Sequence, residues 1–183
     1  MYLTKENIES ALKLAYRNNS AHHLMILLAA QHGMRISEVA NLTLGDVANG
    51  QIKVHRVKGS STTLHPLIQN SNHLFDEPAV LARWIKERPN DASNALFPSH
   101  KGAFLRPKSV GRVITSYLAL AGVEDHLQHA HALKHSCCSQ LVRKGVGIEF
   151  VRTYVGHVDI KNTARYLNIT DSEAAQKAQE AFR

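Results

Sequence analysis

Apolar positions recur along this chain mostly at helical spacing, with one interval of alternation near the middle. Over 3–17, Ile8, Ala11, Leu12 and Ala15 fall on one face, Thr4 stands where a cap belongs, and Glu6 suits the positive end of a helix. Asn18-Asn19-Ser20 breaks that helix. Over 21–32, apolar side chains (Leu24, Met25, Ile26, Leu27, Leu28) leave no polar face, which predicts a helix buried nearly all round and stopped by Gly33. Ser37 is expected to cap a short helix carrying Val39, Ala40 and Leu42.

Residues 51–57 and 62–67 alternate in strand fashion around Lys58-Gly59-Ser60-Ser61, predicting an antiparallel hairpin, with room for a third strand near 44–47. Helices follow over 78–88 (Val80, Leu81, Trp84 and Ile85 inward), 109–121, 131–144 and 148–155. Gly122, Gly145 and Gly156 stop the last three. Asp159 is expected to cap a short helix to 167, and Asp171 a final one to 182. The pattern contains no internal repeat or linker. It predicts one domain over 1–183, mainly α with a small antiparallel β-sheet, an α+β fold.

With 183 residues, 44% of them hydrophobic, the chain can bury a proper core. Its 22 Lys and Arg against 15 Asp and Glu give a charge of +7 before 12 His are counted. That balance favours a polyanionic partner, nucleic acid first and anionic membrane second. Neighbouring cysteines rarely bridge, so Cys137 and Cys138 read as a reduced pair without a redox role. No signal-peptide pattern and no membrane-length apolar run occur, so a cytoplasmic, nucleoid-associated location is expected.

Candidate chemistry gathers in the last third. His131 and Lys134 stand three apart at the head of one helix, Gly156-His157 falls at a helix break, and Tyr166 follows nine residues later. Phosphodiester cleavage requires a placed hydroxyl nucleophile and fixed donors for the charge that grows on phosphorus. Upstream, Arg35 sits in a tight connection with Glu38 three residues on. Glu38 can fix the guanidinium, or the two can form only a weak surface ion pair. Lys58 stands at the hairpin tip. His129, His131 and His135 have metal-ligand spacing, but no nearby carboxylate or cysteine completes a set, so no metal is expected. His22, His23, His32, His55, His65, His73, His100 and His126 read as structural. Tyr2, Tyr16, Tyr117 and Tyr154 read as packing.

In this order and spacing, R-I-S-E at Arg35, the hairpin Lys58, H-A-L-K-H at His131, V-G-H at His157 and Tyr166 resemble the catalytic domain of the tyrosine recombinases. The resemblance runs from about Leu3 to Ile169. The hairpin text H-R-V-K-G-S-S-T-T-L-H-P-L is similar to phage-type integrases and to the short recombinases that switch fimbrial promoters. The resemblance implies that Tyr166 attacks a DNA phosphate, forming a 3′-phosphotyrosyl link and releasing a 5′-hydroxyl. It implies that Arg35 binds non-bridging oxygens and Lys58 protonates the leaving oxygen. His131 and His157 would donate to the phosphate, with His131 also a candidate to take the Tyr proton. Glu38 would orient Arg35, and His135 would be a supporting or core residue. No metal or nucleotide cofactor is implied. The implied partner is double-stranded DNA, held by a tetramer that exchanges the C-terminal helix (apolar Ala174, Ala175, Ala178 and Phe182), while the free chain could be a monomer. Arg106, Lys108, Arg112, Arg143, Lys144, Arg152, Lys161 and Arg165 are candidates for backbone contact, each with a merely solvated face as the alternative.

Lys134 stands where the family carries Arg. Lysine keeps the charge and loses the bidentate fork. Losing one positioned donor can cost about 2.7–4 kcal/mol in barrier. An active enzyme is expected, with Lys134→Arg keeping or raising cleavage. The alternatives are a catalytically weakened DNA-binding regulator of the same fold and a type IB topoisomerase. Because the first motif arrives by residue 35, the chain is expected to lack a separate N-terminal core-binding domain, as a natural stand-alone form or equally as an excised fragment, and either is expected to bind DNA more weakly.

Overall fold

A computed structural model describes residues 2–57, 62–90, 93–164, 166 and 179. Helix α1 (Lys5–Asn18) starts where Thr4 Oγ1 accepts from the Asn7 N–H at 3.2 Å, and buries the predicted face. Helix α2 (Ser20–Gln31) is capped by Asn19 and buried on all sides. It is the axle of the domain and packs against α1, α3 (Ile36–Ala40), α4 (Glu77–Glu87), α5 (Pro107–Leu120) and α6 (Ala130–Arg143). Gly33 leaves α2 at φ +56°, as the stop signal required.

The hairpin β1 (Gln51–Val54) and β2 (Thr63–Pro66) is antiparallel, with Ile52 opposite His65 and Val54 opposite Thr63. It is shorter than the alternation suggested. The third strand expected near 44–47 is instead a 3-10 turn, Leu44–Asp46, held by Asp46 accepting from the Thr43 N–H and hydroxyl. Thr43 makes only an isolated bridge to Ala95. In β1 the apolar residues point inward, whereas β2 buries His65 and leaves Leu64 60% exposed.

Two further expectations change. Ser37 does not cap α3: it lies inside the helix, the cap position is Arg35, and Glu38 accepts the Arg35 N–H. Ile85 of α4 is exposed, while Val80 and Trp84 carry the buried face and the Trp84 indole N–H donates to the Leu96 carbonyl.

Helix α6 passes over the open end of α2. Helix α7 (Ile148–Val155) joins it through a small second cluster of Cys137, Cys138, Val151 and Val155, against which Tyr166 packs. Both cysteines are buried and unbridged. Asp159 caps α8 (Lys161–Ala164), its carboxylate accepting the Lys161 N–H. Of the helix expected over 171–182, all but residue 179 lies outside the described residues. Among the described residues no helix is long and apolar enough to cross a membrane.

Candidate active site

The Arg35 corner follows from one glycine. At Gly33 the left-handed backbone reverses the chain, and a Cβ there would meet Val155 Cγ1 at 2.9 Å, so α7 can close directly onto the turn. Met34 is buried and Arg35 emerges beside it. Arg35 Nη1 donates to Glu38 Oε1 at 2.8 Å, and the Glu38 side chain is fully enclosed. This is an oriented pair and not a surface ion pair. Glu38 also accepts from the Arg35 N–H (2.9 Å), Arg56 Nη1 (3.1 Å) and the Val57 N–H (3.3 Å). Burial pushes its carboxyl pKa up, but the Arg35 N–H and the Arg56 charge outweigh that and leave it below the usual value. Glu38 is therefore an anion that fixes Arg35 and ties the end of the hairpin, one residue before Lys58, to the same corner. Lys58 itself lies outside the described residues, as does Arg165.

Lys134 is buried, with 2% of its surface exposed. Its Nζ donates to the Gly33 carbonyl at 2.8 Å and the Val155 carbonyl at 2.5 Å. Burial first, then the nearby Arg56 and Arg35 charges, push its pKa down to about 8. The ammonium thus pins the Arg35 turn to the end of α7 and does not line the cleft.

Three aromatic side chains run from the cleft toward the polypeptide's end. The rings of His131 and His135, one turn apart on α6, meet edge-on with centroids 4.5 Å apart. The Tyr166 hydroxyl is hydrogen-bonded to His135 Nδ1, and the two rings lie 5.5 Å apart. His135, expected only as a supporting or core residue, is the histidine on the tyrosine hydroxyl. Gly156, left-handed at φ +65°, ends α7 and turns the chain into His157. His157 Nδ1 pairs with Thr163 Oγ1 at 2.9 Å, and the Tyr166 N–H donates to the Thr163 carbonyl at 3.0 Å. Buried Thr163 therefore locates both the last histidine and the tyrosine.

Beneath α7 lies a buried polar network. The Tyr154 hydroxyl pairs with His32 Nδ1 (3.0 Å), His32 Nε2 with Glu77 (2.9 Å) and His32 Nδ1 with His65 Nδ1 (2.9 Å), while His65 stacks on the Tyr154 ring at 4.0 Å. These groups hold α7 on α2 and β2. That agrees with reading His32, His65 and Tyr154 as structural.

A cleft of about 720 Å³ opens beside the corner. Arg35, His131, His129, Lys108, Arg112, Thr115 and Ser116 line it. Of the candidate backbone contacts, Lys108 and Arg112 are thus brought to Arg35. Arg106 is exposed at the cap of α5. Arg143 and Lys144 sit at the opposite end of α6 from His131, with Arg143 donating to the Tyr2 hydroxyl. Arg152 is paired with Glu149, and Lys161 is exposed on α8.

The profile of the phage integrase family matches residues 1–173, nearly the whole length. The chain belongs to the phage integrase family. Among relatives, the type 1 fimbriae regulatory protein FimE of Escherichia coli (strain K12) is 34% identical, over 97% of this chain and 88% of its own length. The tyrosine recombinase XerD of Caulobacter vibrioides is 30% identical, over 97% of this chain and 60% of its own. Of solved structures, XerA recombinase superposes with a TM-score of 0.77 at 20% identity, over 99% of this chain and 65% of that one. XerH bound to its difH substrate in a pre-cleavage complex gives 0.78 at 20%, over 97% and 53%. This integrase-family chain thus spans about two thirds or less of those solved chains, and at such identities the likeness speaks for the fold, a tyrosine recombinase catalytic domain.

Sequence reasoning missed Arg56 and Thr163. For Thr163 the signal was faint: a threonine three residues before Tyr166. Arg56 stood in plain view two residues before Lys58, but a lone arginine beside a turn reads as solvated.

Proposed function

We propose that this chain is a site-specific DNA recombinase that cleaves and rejoins strands through Tyr166. The Tyr166 oxygen attacks a phosphodiester, forming the 3′-phosphotyrosyl bond as the bond to the 5′-oxygen breaks. The tyrosine proton passes to His135, and the leaving oxygen takes a proton from Lys58. One ester replaces another of similar energy, so the reverse step reseals the strand without ATP. Arg35, fixed by Glu38, binds the non-bridging oxygens with a rigid fork, and His131 and His157 donate to the charge that develops on them. The substrate is double-stranded DNA, held by a tetramer, with Lys108 and Arg112 on its backbone.

The observation that carries this reading is the hydroxyl of Tyr166 seated on His135, one ring away from a cleft lined by His131 and the oriented Arg35. A nicked suicide duplex taken from the chain's own genomic flank tests it. Wild type should yield a denaturant-resistant DNA adduct that Tyr166→Phe does not.

One observation favours a second reading, a binding-only regulator: Lys134 spends its ammonium on two backbone carbonyls and offers the cleft no donor. Firm DNA binding with no adduct from wild type would select that reading.

A further inference from the structure

Arg56 belongs to no catalytic motif, yet its side chain is fully enclosed and every N–H ends on an acceptor. Nε donates to Thr63 Oγ1 at 3.1 Å. Nη1 donates to Glu38 Oε2 at 3.1 Å and to the Gly33 carbonyl at 3.4 Å. Nη2 donates to the His32 carbonyl at 3.1 Å and the Tyr154 carbonyl at 2.5 Å. These acceptors lie on β2, on α3, in the turn that leads to Arg35, and in the last turn of α7. The aliphatic stem runs over Gly156, where a Cβ would sit 2.7 Å from both Cγ and Cδ.

A buried guanidinium is costly unless it is paired and fully hydrogen-bonded. Here Glu38 supplies the countercharge and four backbone or hydroxyl oxygens take up the rest. Only arginine offers five donors in one plane, so lysine could reach one or two of these partners but not span them. Glu38 gives one oxygen to the Arg35 guanidinium and the other to Arg56. Arg56 can therefore act on Arg35 through the carboxylate, and on His157 through the α7 corner.

We propose that Arg56 is a positioning residue, whose planar fork sets the Arg35 turn, the α7–His157 corner and the Lys58 hairpin in register on one phosphate. The proposal rests on the function proposed above, in that register matters only if those groups share a scissile phosphate. Groups misplaced by about 1 Å can lose on the order of 10²-fold in rate.

Arg56→Met and Arg56→Lys in the full chain test this. Arg56→Lys retains the charge beside Glu38 and carries the test should the Met protein not fold. In both, adduct formation on the nicked suicide duplex, measured in a single turnover at saturating DNA, should fall on the order of 10²-fold. The Kd for that duplex should be unchanged. Amide hydrogen exchange should speed up at both 32–35 and 154–157, but not in α5. Wild-type adduct rates in a folded variant would overturn the proposal. So would equal losses in rate and Kd, or exchange unchanged at the two segments. If wild type itself forms no adduct, the recombinase reading falls and the exchange measurement alone decides whether Arg56 ties the two corners.

Discussion

At Lys134 the chain's motif and its packing point in different directions. The position was legible, because His131 and Lys134 share the head of α6, but its burial was not. A three-residue step turns the side chain about 60° from His131 and drops it one turn deeper, under the Gly33 corner. A guanidinium there must be accommodated between two carbonyls and Arg56. Lys134→Arg should therefore cost about 1–3 kcal/mol by overpacking, read from the denaturant midpoint, while adduct formation is kept or raised. A clear loss of cleavage in the folded variant would show that lysine is specifically adapted to this site. His65 makes a pH prediction. Burial first, then the His32 and Arg56 charges, push its pKa down to about 3 from the ordinary 6.5. The folded state therefore binds fewer protons than the unfolded one between those values. The stability His65 contributes is complete above about pH 6.5 and is lost as pH falls toward 3. His65→Phe keeps the stack on Tyr154 and removes the titration, so its midpoint should fall less than wild type's between pH 7 and 4.5. Equal falls would assign acid lability to other groups.

Among the elements, the helix ends were the most legible feature, since Gly33, Gly122, Gly145 and Gly156 all adopt positive φ at helix stops. What glycine signals could not show is which end also meets a neighbour. At Gly145 a Cβ meets nothing within 4 Å, whereas at Gly156 it strikes the Arg56 stem. Gly145→Ala and Gly156→Ala should each cost about 1–2 kcal/mol for the left-handed backbone, visible as a lower Tm. Only Gly156→Ala should also reduce adduct formation, because it moves Arg56 and His157. Similar losses of cleavage in both would refute that distinction. The hairpin was legible as a pair of strands, but T-L-H-P could not say which face is inward. The buried partners His32 and Tyr154, remote in sequence, turn His65 in and Leu64 out. Ser37 was misassigned as a cap for a related reason. Glu38 accepts the N–H of the cap residue Arg35 from inside the helix, and no hydroxyl cap is used.

For the whole molecule, the all-round apolar α2 and the order of motifs made the architecture readable, and the excess of basic residues pointed to a polyanion. Charge count alone could not sort the basic residues. The fold brings Lys108 and Arg112 to the Arg35 cleft and leaves Arg143 and Lys144 at the far end of α6. The logarithm of DNA affinity should fall linearly with the logarithm of salt concentration. Lys108→Ala and Arg112→Ala should each lower that slope by about 0.9, while Lys144→Ala should leave it unchanged. A slope altered equally by all three would mean that the cleft does not define the DNA path. The reaction itself is tested most directly by digesting a trapped protein–DNA adduct and locating the nucleotide by tandem mass spectrometry. It should be found on the Tyr166 oxygen, joined through a 3′-phosphate. A nucleotide on any other residue, or a link through a 5′-phosphate, would contradict the mechanism.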